Sequence, residues 1–492
     1  MDILHSALQG LDIATMPVNL LFLVVGVSLG MCFGIIPGIS AANGIALMLP
    51  VVYTFGLAPE TVLILFAGIY YGAKYGCRVS AIVNNVPGDV SSLATTLEGY
   101  PLALAGHGAK ALILTAFSSF FGGMLSIAML GGSAAFFADI GGSFDPPEYV
   151  ALISFAFVLI LILSSTLLLK NLTSLCLGLI FAVVGLDWGT GAFRYTMGIP
   201  ELYDGIDFII VVIGVFALSE SLLMMEKSGR NSTLPPITDE VGPLLPLCLH
   251  VKWSCFRASV IGLLIGILPG AGTYVANLAA YRFEKRMAKR GEPSFGTGNF
   301  HGLIAPEAAN SACALASFLP LLALGIPGSA TTAVLHGALL QVNVDPGSAL
   351  CRNHPEYIWA LIVSMLLGNI LLVAVNVKMI RYFPRLLAIP PWVLMPMIVV
   401  VAFVSVYAVS QSVVSLLIMV IIGLLAYYLR KFHYPLSPLI LGYVLGKPFE
   451  DNLRLALSIS GGDFMVFFHG PVTMVLGCSI IIAILLKLIY AR

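Results

Sequence analysis

Apolar positions in this chain run on without the polar face that a water-facing helix repeats every three or four residues. Residues 150–169 carry no charge between Glu148 and Lys170. Residues 208–223, 413–429 and 472–486 read as further apolar stretches. A bilayer span needs about 20 such residues, so the chain has room for about ten to twelve membrane elements. The expected fold is an all-α, polytopic membrane bundle. Many of its 49 glycines and 28 prolines fall inside apolar stretches. Backbone facing lipid has to be paired, so broken helices persist only where protein or a water-filled cavity shields them. The pattern therefore predicts re-entrant, Pro-Gly-broken helices built around a cavity, not a simple anchor.

Composition narrows the class. Hydrophobic residues make up 59% of the 492 and charged ones 10%, against about 25% charged in soluble domains. The formal net charge is zero, which supports no nucleic-acid partner. The cysteines, Cys32, Cys77, Cys176, Cys248, Cys255, Cys313, Cys351 and Cys478, form no Cys-x-x-Cys pair and read as small buried apolar residues. The first 15 residues carry Asp2 and Asp12 but no Lys/Arg cluster. They are expected to form a short interfacial helix leading into an uncleaved span from about Val18.

An internal repeat organises the rest. Gly30, Gly34, Pro37 and Gly38 recur 232 positions later as Gly262, Gly266, Pro269 and Gly270. Each copy has a second motif downstream. N-V-P-G-D-V-S-S at residues 85–92 aligns with G-I-P-G-S-A-T-T at residues 325–332. Two motifs in the same order at similar separation mark a duplicated unit. The segment 282–290 carries Arg282, Lys285, Arg286, Lys289 and Arg290, whereas the corresponding loop 51–60 has no Lys or Arg. By the positive-inside rule the basic loop is cytoplasmic, and the opposite bias of its counterpart predicts inverted repeats. The expected organisation is an N-terminal half at 1–225, a polar linker at 226–256 containing Pro235 and Pro236, and a C-terminal half at 257–492.

The breaks suggest the chemistry. Proline removes a backbone donor and glycine permits unusual backbone angles. Together they end one half-helix and start another, whose unpaired N–H groups and partial positive charge receive an anion. Glycines spaced by four, including Gly26, Gly30, Gly34, Gly262 and Gly266, fit helix packing better. The candidate substrate site comprises Pro37, Gly38, Ser40, Asn43, Asn85, Pro87, Gly88, Ser91, Ser92, Gly270, Gly272, Asn310, Pro327, Gly328, Ser329, Thr331 and Thr332. Ionisable or amide groups in apolar surroundings are costly and mark function. Lys74, Arg78, Asp89, Asn277 and Glu307 are candidates for tuning charge or coupling an ion. Lys74 and Arg78 lie one helical turn apart and would either attract a polyanion or else pair with Asp89 or Glu98 or snorkel to an interface. No metal spacing appears among the histidines, and His336, one turn after Thr332, is read as a buried side chain rather than a proton sensor. His-Glu-x-x-His, Gly-x-Ser-x-Gly and P-loop signatures are absent, so the chain is not read as an enzyme and no P-loop route to ATP hydrolysis is available.

At these motifs the chain resembles the large membrane subunit of the tripartite tricarboxylate transporters. The matching stretches are G-I-I-P-G at residues 34–38, A-G-I-Y-Y-G at 67–72, N-V-P-G-D at 85–89, E-G-Y-P at 98–101, G-I-L-P-G-A-G at 266–272, A-P-E-A-A-N at 305–310 and G-I-P-G-S-A-T-T-A-V at 325–334. The resemblance implies a permease in a bacterial inner membrane, working with a small membrane subunit and an extracytoplasmic solute-binding protein. It also implies uptake of a citrate-like or other small anionic solute driven by a sodium or proton gradient, with no resident cofactor. Lys74, Arg78, Asn84 and His336 depart from the residues such a family leads one to expect, and bear on the substrate more than on the fold. The rival readings are a non-transporting membrane receptor or scaffold, and a membrane-embedded enzyme.

Overall fold

A computed structural model describes residues 3–36, 38–141, 144–163, 167–187, 189–227, 245–270, 272–288, 293–379, 382 and 391–490. Nearly all are helical. Nine described helices are long and apolar enough to cross a membrane, and three shorter apolar helices accompany them. The one sheet among the described residues is a two-stranded antiparallel pair, β1 (Gly185–Leu186) with β2 (Phe193–Arg194).

Glycine spacing explains the centre. Helix α1 (Ile3–Thr15) precedes α2 (Pro17–Ile35), α3 (Ala41–Phe55) and α4 (Pro59–Asn84). The faces of Gly26, Gly30 and Gly34 on α2 lie against the backbone at Leu65, Ile69 and Ala73 of α4. Both numberings rise together, so the helices run parallel at a distance only glycine allows. The chain turns back through α3 to reach the start of α4. A similar contact forms later in the chain. Gly262 and Gly266 on α11 (Leu245–Ile267) abut Ala309 and Cys313 of α13 (Phe300–Ala316), and α12 (Gly272–Arg286) lies between them in sequence. Helices α4 and α13 are antiparallel: Tyr70 lies 5.7 Å from Phe318, just past the end of α13, while Arg78, two turns on, interacts with Glu307 near its start.

The remaining elements enclose this pair of units. They are α5 (Leu93–Leu104), α6 (Gly108–Gly141), α7 (Pro146–Leu163), α8 (Leu168–Ala182), α9 (Phe208–Val212) continuing through a π segment Ile213–Leu218 into α10 (Ser219–Lys227), α14 (Phe318–Leu324), α15 (Ala330–Gln341), α16 (Ser348–Asn353), α17 (Pro355–Met379), α18 (Pro391–Ser410), α19 (Val413–Lys431), α20 (Ser437–Ile459), α21 (Val466–His469) and α22 (Pro471–Tyr490). Burial separates core from periphery. The span Phe300–Leu324 is 94% buried, whereas Val393–Ser410 and Val413–Lys431 are 28% buried. The outer two expose Val400, Val404, Leu417 and Ile421, side chains suited to lipid.

Several expectations are corrected. The apolar run 150–169 is not one continuous helix: α7 is described to Leu163, and α8 starts at Leu168 after a non-helical Leu167. Residues 164–166 lie outside the described set. The run 208–223 contains a charge, Glu220, which is buried and ion-paired with Arg430. The polar linker at 226–256 is too long. Helix α10 continues to Lys227 and α11 begins at Leu245; the polarity near Arg257 reflects its 2.9 Å pair with Glu284. Pro235 and Pro236 lie outside the described residues, as do Lys289 and Arg290 of the basic loop. The rest of that loop is partly helical, since α12 reaches Arg286. The loop expected at 51–60 shrinks to three residues between Phe55 and Pro59. The N-terminal helix packs on α17, with Gly10 against Trp359 and Ala360.

Candidate functional site

The Pro-Gly tips join in pairs. Gly38 N–H donates to the Gly88 carbonyl at 3.3 Å, and Gly270 N–H donates to the Gly328 carbonyl at 3.1 Å. Gly38 and Gly270 have φ of +88° and +79°, a conformation that a side chain rarely adopts. Pro37 lies outside the described residues. Pro87 and Pro327 precede the accepting glycines.

Lysine links one pair of tips to the other. Lys74 on α4 is buried. Its ammonium donates to Asp89 at 2.6 Å, to the Ser91 hydroxyl at 3.0 Å and to the Thr273 hydroxyl at 3.2 Å. Thr273 is in the first turn of α12, directly after Gly270 and Gly272. Of the two readings open for Lys74, ion pairing with Asp89 is the one found. Asp89 caps nothing with its side chain. Arg78 pairs with no carboxylate by direct contact. It donates to the Thr115 carbonyl at 2.9 Å, Ser119 at 2.8 Å and Asn376 at 3.1 Å, and stacks on Tyr75. Glu98 is held by Tyr281 and by the N–H groups of Gly296, Gly298 and Asn299.

The other tip is closed from within. Ser329 accepts from Thr332 N–H and its own N–H donates to the Thr332 hydroxyl, a reciprocal capping box on α15. Thr331 is buried beside it, and His336 is buried one turn beyond. The paired asparagines are less equivalent than their motif positions imply. Asn43 accepts from Ser40 and donates to the Phe216 carbonyl in the π segment. Asn277 donates to the Pro306 carbonyl at 3.4 Å. Thr95 donates to Glu307, which is fully buried. The Asn310 amide, also fully buried, makes no hydrogen bond among the described residues. Asn85 stands apart, exposed as the left-handed end of α4.

The described open cavity is elsewhere. About 790 Å³ in volume, it lies where α3, α15 and α20 end, with Tyr53, Gln341, Lys447 and Arg454 in its wall. A charged lattice borders the cavity: Arg454 bridges Asp187 and Glu450, and Glu450 also pairs with Arg194. The Thr190 hydroxyl, Gly189 N–H and Arg454 guanidinium hold the Asp187 carboxyl at about 2, below its ordinary value.

The sequence that carries these tips matches a known family. Residues 20–441 match the model of the "Tripartite tricarboxylate transporter TctA family". The chain belongs to that family. An uncharacterized 52.8 kDa protein of Agrobacterium vitis, from the TAR-I ttuC' 3'region, is 36% identical over all of this chain and 98% of its own length. A second Agrobacterium vitis protein, uncharacterized and from the TAR-II ttuC' 3'region, is 37% identical over 46% of this chain and 93% of its own. No solved structure matches. Membership in the TctA family and the nine apolar spans among the described residues make the chain a multi-pass protein of the bacterial inner membrane, and point to a transporter.

Sequence reasoning missed two residues that the TctA-family chain places at these tips. Thr273 holds Lys74, and the rule that picked Ser91, Ser92, Thr331 and Thr332, a hydroxyl in the first turn after Pro-Gly, would have found it. Glu220 would lie 2.8 Å from a side chain added at Gly38. Its signal was a lone carboxylate in an apolar run.

Proposed function

We propose that this TctA-family chain is the permease through which a small carboxylate, such as a tricarboxylate, is taken up on a sodium or proton gradient. A solute-binding protein delivers the solute on the extracytoplasmic side, and a small membrane subunit accompanies the permease. One observation carries the reading: a continuous line of contacts runs from Gly38 through Gly88, Asp89, Lys74 and Thr273 to Gly270 and Gly328. Broken helices from both halves thus begin at one place, inside the bundle, where their N-termini favour an anion. Ser91, Ser92, Ser329, Thr331 and Thr332 supply hydroxyls there. Glu307 and the unsatisfied Asn310 amide are candidates to hold a coupling cation.

The halves are read as inverted copies. Parallel α2–α4 and α11–α13 contacts through equivalent glycines, with α4 antiparallel to α13, support this. Arg282, Lys285 and Arg286 then face the cytoplasm, and the 790 Å³ cavity, at the ends of α3 and α15, faces the other side. Movement of one half past the other around the tips would give alternating access.

Proteoliposomes holding the permease with its small subunit test this. Labelled citrate and other di- and tricarboxylates are offered with and without the binding protein, under a sodium or a proton gradient. Gradient-dependent accumulation that requires the binding protein is expected. If no carboxylate accumulates under either gradient, the receptor or scaffold reading takes over.

A further inference from the structure

We propose that the Lys74 ammonium is a built-in cation, seated in an oxygen cage that a free monovalent ion would otherwise fill, and that it lowers by one the number of free cations this chain takes up per cycle. The inference rests on the transport reading above.

The cage is visible in the contacts. A carboxylate and two hydroxyls, from Asp89, Ser91 and Thr273, surround Nζ at 2.6–3.2 Å. The Tyr70 ring lies on a further side, 5.8 Å away, where its face attracts a cation. Carboxylate and hydroxyl oxygens are the donors that hard cations take. The Lys74 side chain is 4% exposed, so water does not compete for it. The cage draws on both halves of the chain: Asp89 and Ser91 follow α4, and Thr273 opens α12.

Charge balance makes lysine necessary here. Six ionisable groups lie around this tip: Lys74 with Asp89, Arg430 with its ion-pair partner Glu220, and Arg78 with Glu307. They sum to zero. Replacing Lys74 by a neutral side chain leaves one net negative charge on a partly buried cluster, a state that is costly unless a cation enters. The equivalent positions at the other tip are Ala314, Ser329 and Thr331, with no charge, and there Ser329 and Thr332 close the turn alone. The cage is therefore a feature of one half and not a consequence of the repeated motif.

The test uses the purified permease with its small subunit. Thermal unfolding midpoints are read in sodium and in choline chloride at equal ionic strength for wild type, Lys74→Met and the double variant Lys74→Met/Asp89→Asn. The single variant is expected to melt lower in choline and to regain stability saturably as sodium rises. Wild type and the double variant should lack that added sodium response. In proteoliposomes the sodium dependence of uptake by Lys74→Met should rise by about one in Hill coefficient. An identical sodium response in Lys74→Met and wild type overturns the proposal. Lys74→Gln replaces a Met variant that does not purify. If neither folds even in high sodium while the double variant does, the proposal also falls, because added cation should restore the missing charge. If wild type accumulates no carboxylate, the transport reading fails, while the midpoints still decide whether the cage accepts a cation.

Discussion

The tips at residues 85–92 and 325–332 share the Pro-Gly motif and are held in different ways. The second is locally complete: Ser329 and Thr332 cap each other, and Gly328 has room around it, with the Ser317 Cβ 3.2 Å from where an added carbon would sit. The first lacks a side-chain cap. Its Asp89 is fastened by Lys74 from α4, and Lys74 is shared with Thr273 of the other half. Gly88 is wedged against Gly34, Cys77 and Ser80. One motif thus produces a self-sufficient turn in one copy and, in the other, a turn that depends on long-range contacts. A turn of the second kind is where a change in the relation of the halves would be felt.

The largest expected effect follows from the ion pair. Asp89→Ala leaves a buried ammonium with only two hydroxyls, and breaking a buried pair from one side costs about 3–5 kcal/mol. Most of the folded, monodisperse protein should be lost on detergent size-exclusion chromatography. A variant that survives as well as one at Ser329 would mean that both tips are locally determined. Next come the two glycines. An alanine at Gly88 would press its Cβ to 2.8 Å from Cys77 Cα and 2.9 Å from Ser80 Oγ, besides meeting the Gly34 carbonyl. Backbone has to move, and such overpacking costs about 1–3 kcal/mol. Gly328→Ala needs only a few tenths of an ångström from Ser317. Melting midpoints should fall clearly for Gly88→Ala and little for Gly328→Ala; equal falls would erase the contrast in packing.

Much of this was legible in the sequence because it rests on backbone-level rules. Proline, glycine and their spacing declared the tips, and the glycines at intervals of four declared close-packing faces, though not the helices that meet them. Helix α4 was harder. Lys74, Arg78 and several small polar residues depress its hydropathy, yet it is buried throughout almost its whole length. It is shielded by protein rather than lipid, and hydropathy alone cannot report that. The partners were illegible for a different reason. Lys74 had Asp89 or Glu98 as possible mates and Arg78 the same pair. Only the antiparallel crossing of α4 and α13, a tertiary fact, sends Glu98 to the loop before α13 and Arg78 to Thr115, Ser119 and Asn376. Thr273 belongs to the same class, since 199 residues separate it from Lys74.

The smallest effect is the most diagnostic of local closure. Ser329→Ala removes the acceptor for Thr332 N–H while leaving the Ser329 N–H bond to the Thr332 hydroxyl intact. Loss of one N-cap acceptor costs about 1 kcal/mol, so the melting midpoint should drop modestly. Ser92→Ala at the other tip removes a hydroxyl that donates only to the Asp89 carbonyl at 2.8 Å. That carbonyl keeps its bond from Ser92 N–H at 2.9 Å, so no buried group is orphaned and the midpoint should hardly move. Aligned hydroxyls would then carry unequal weight, because the first tip takes its stability from Lys74 and the second from its own helix cap. A larger fall for Ser92→Ala than for Ser329→Ala would show that the first tip also relies on its own hydroxyls, and the division between the two copies would not stand.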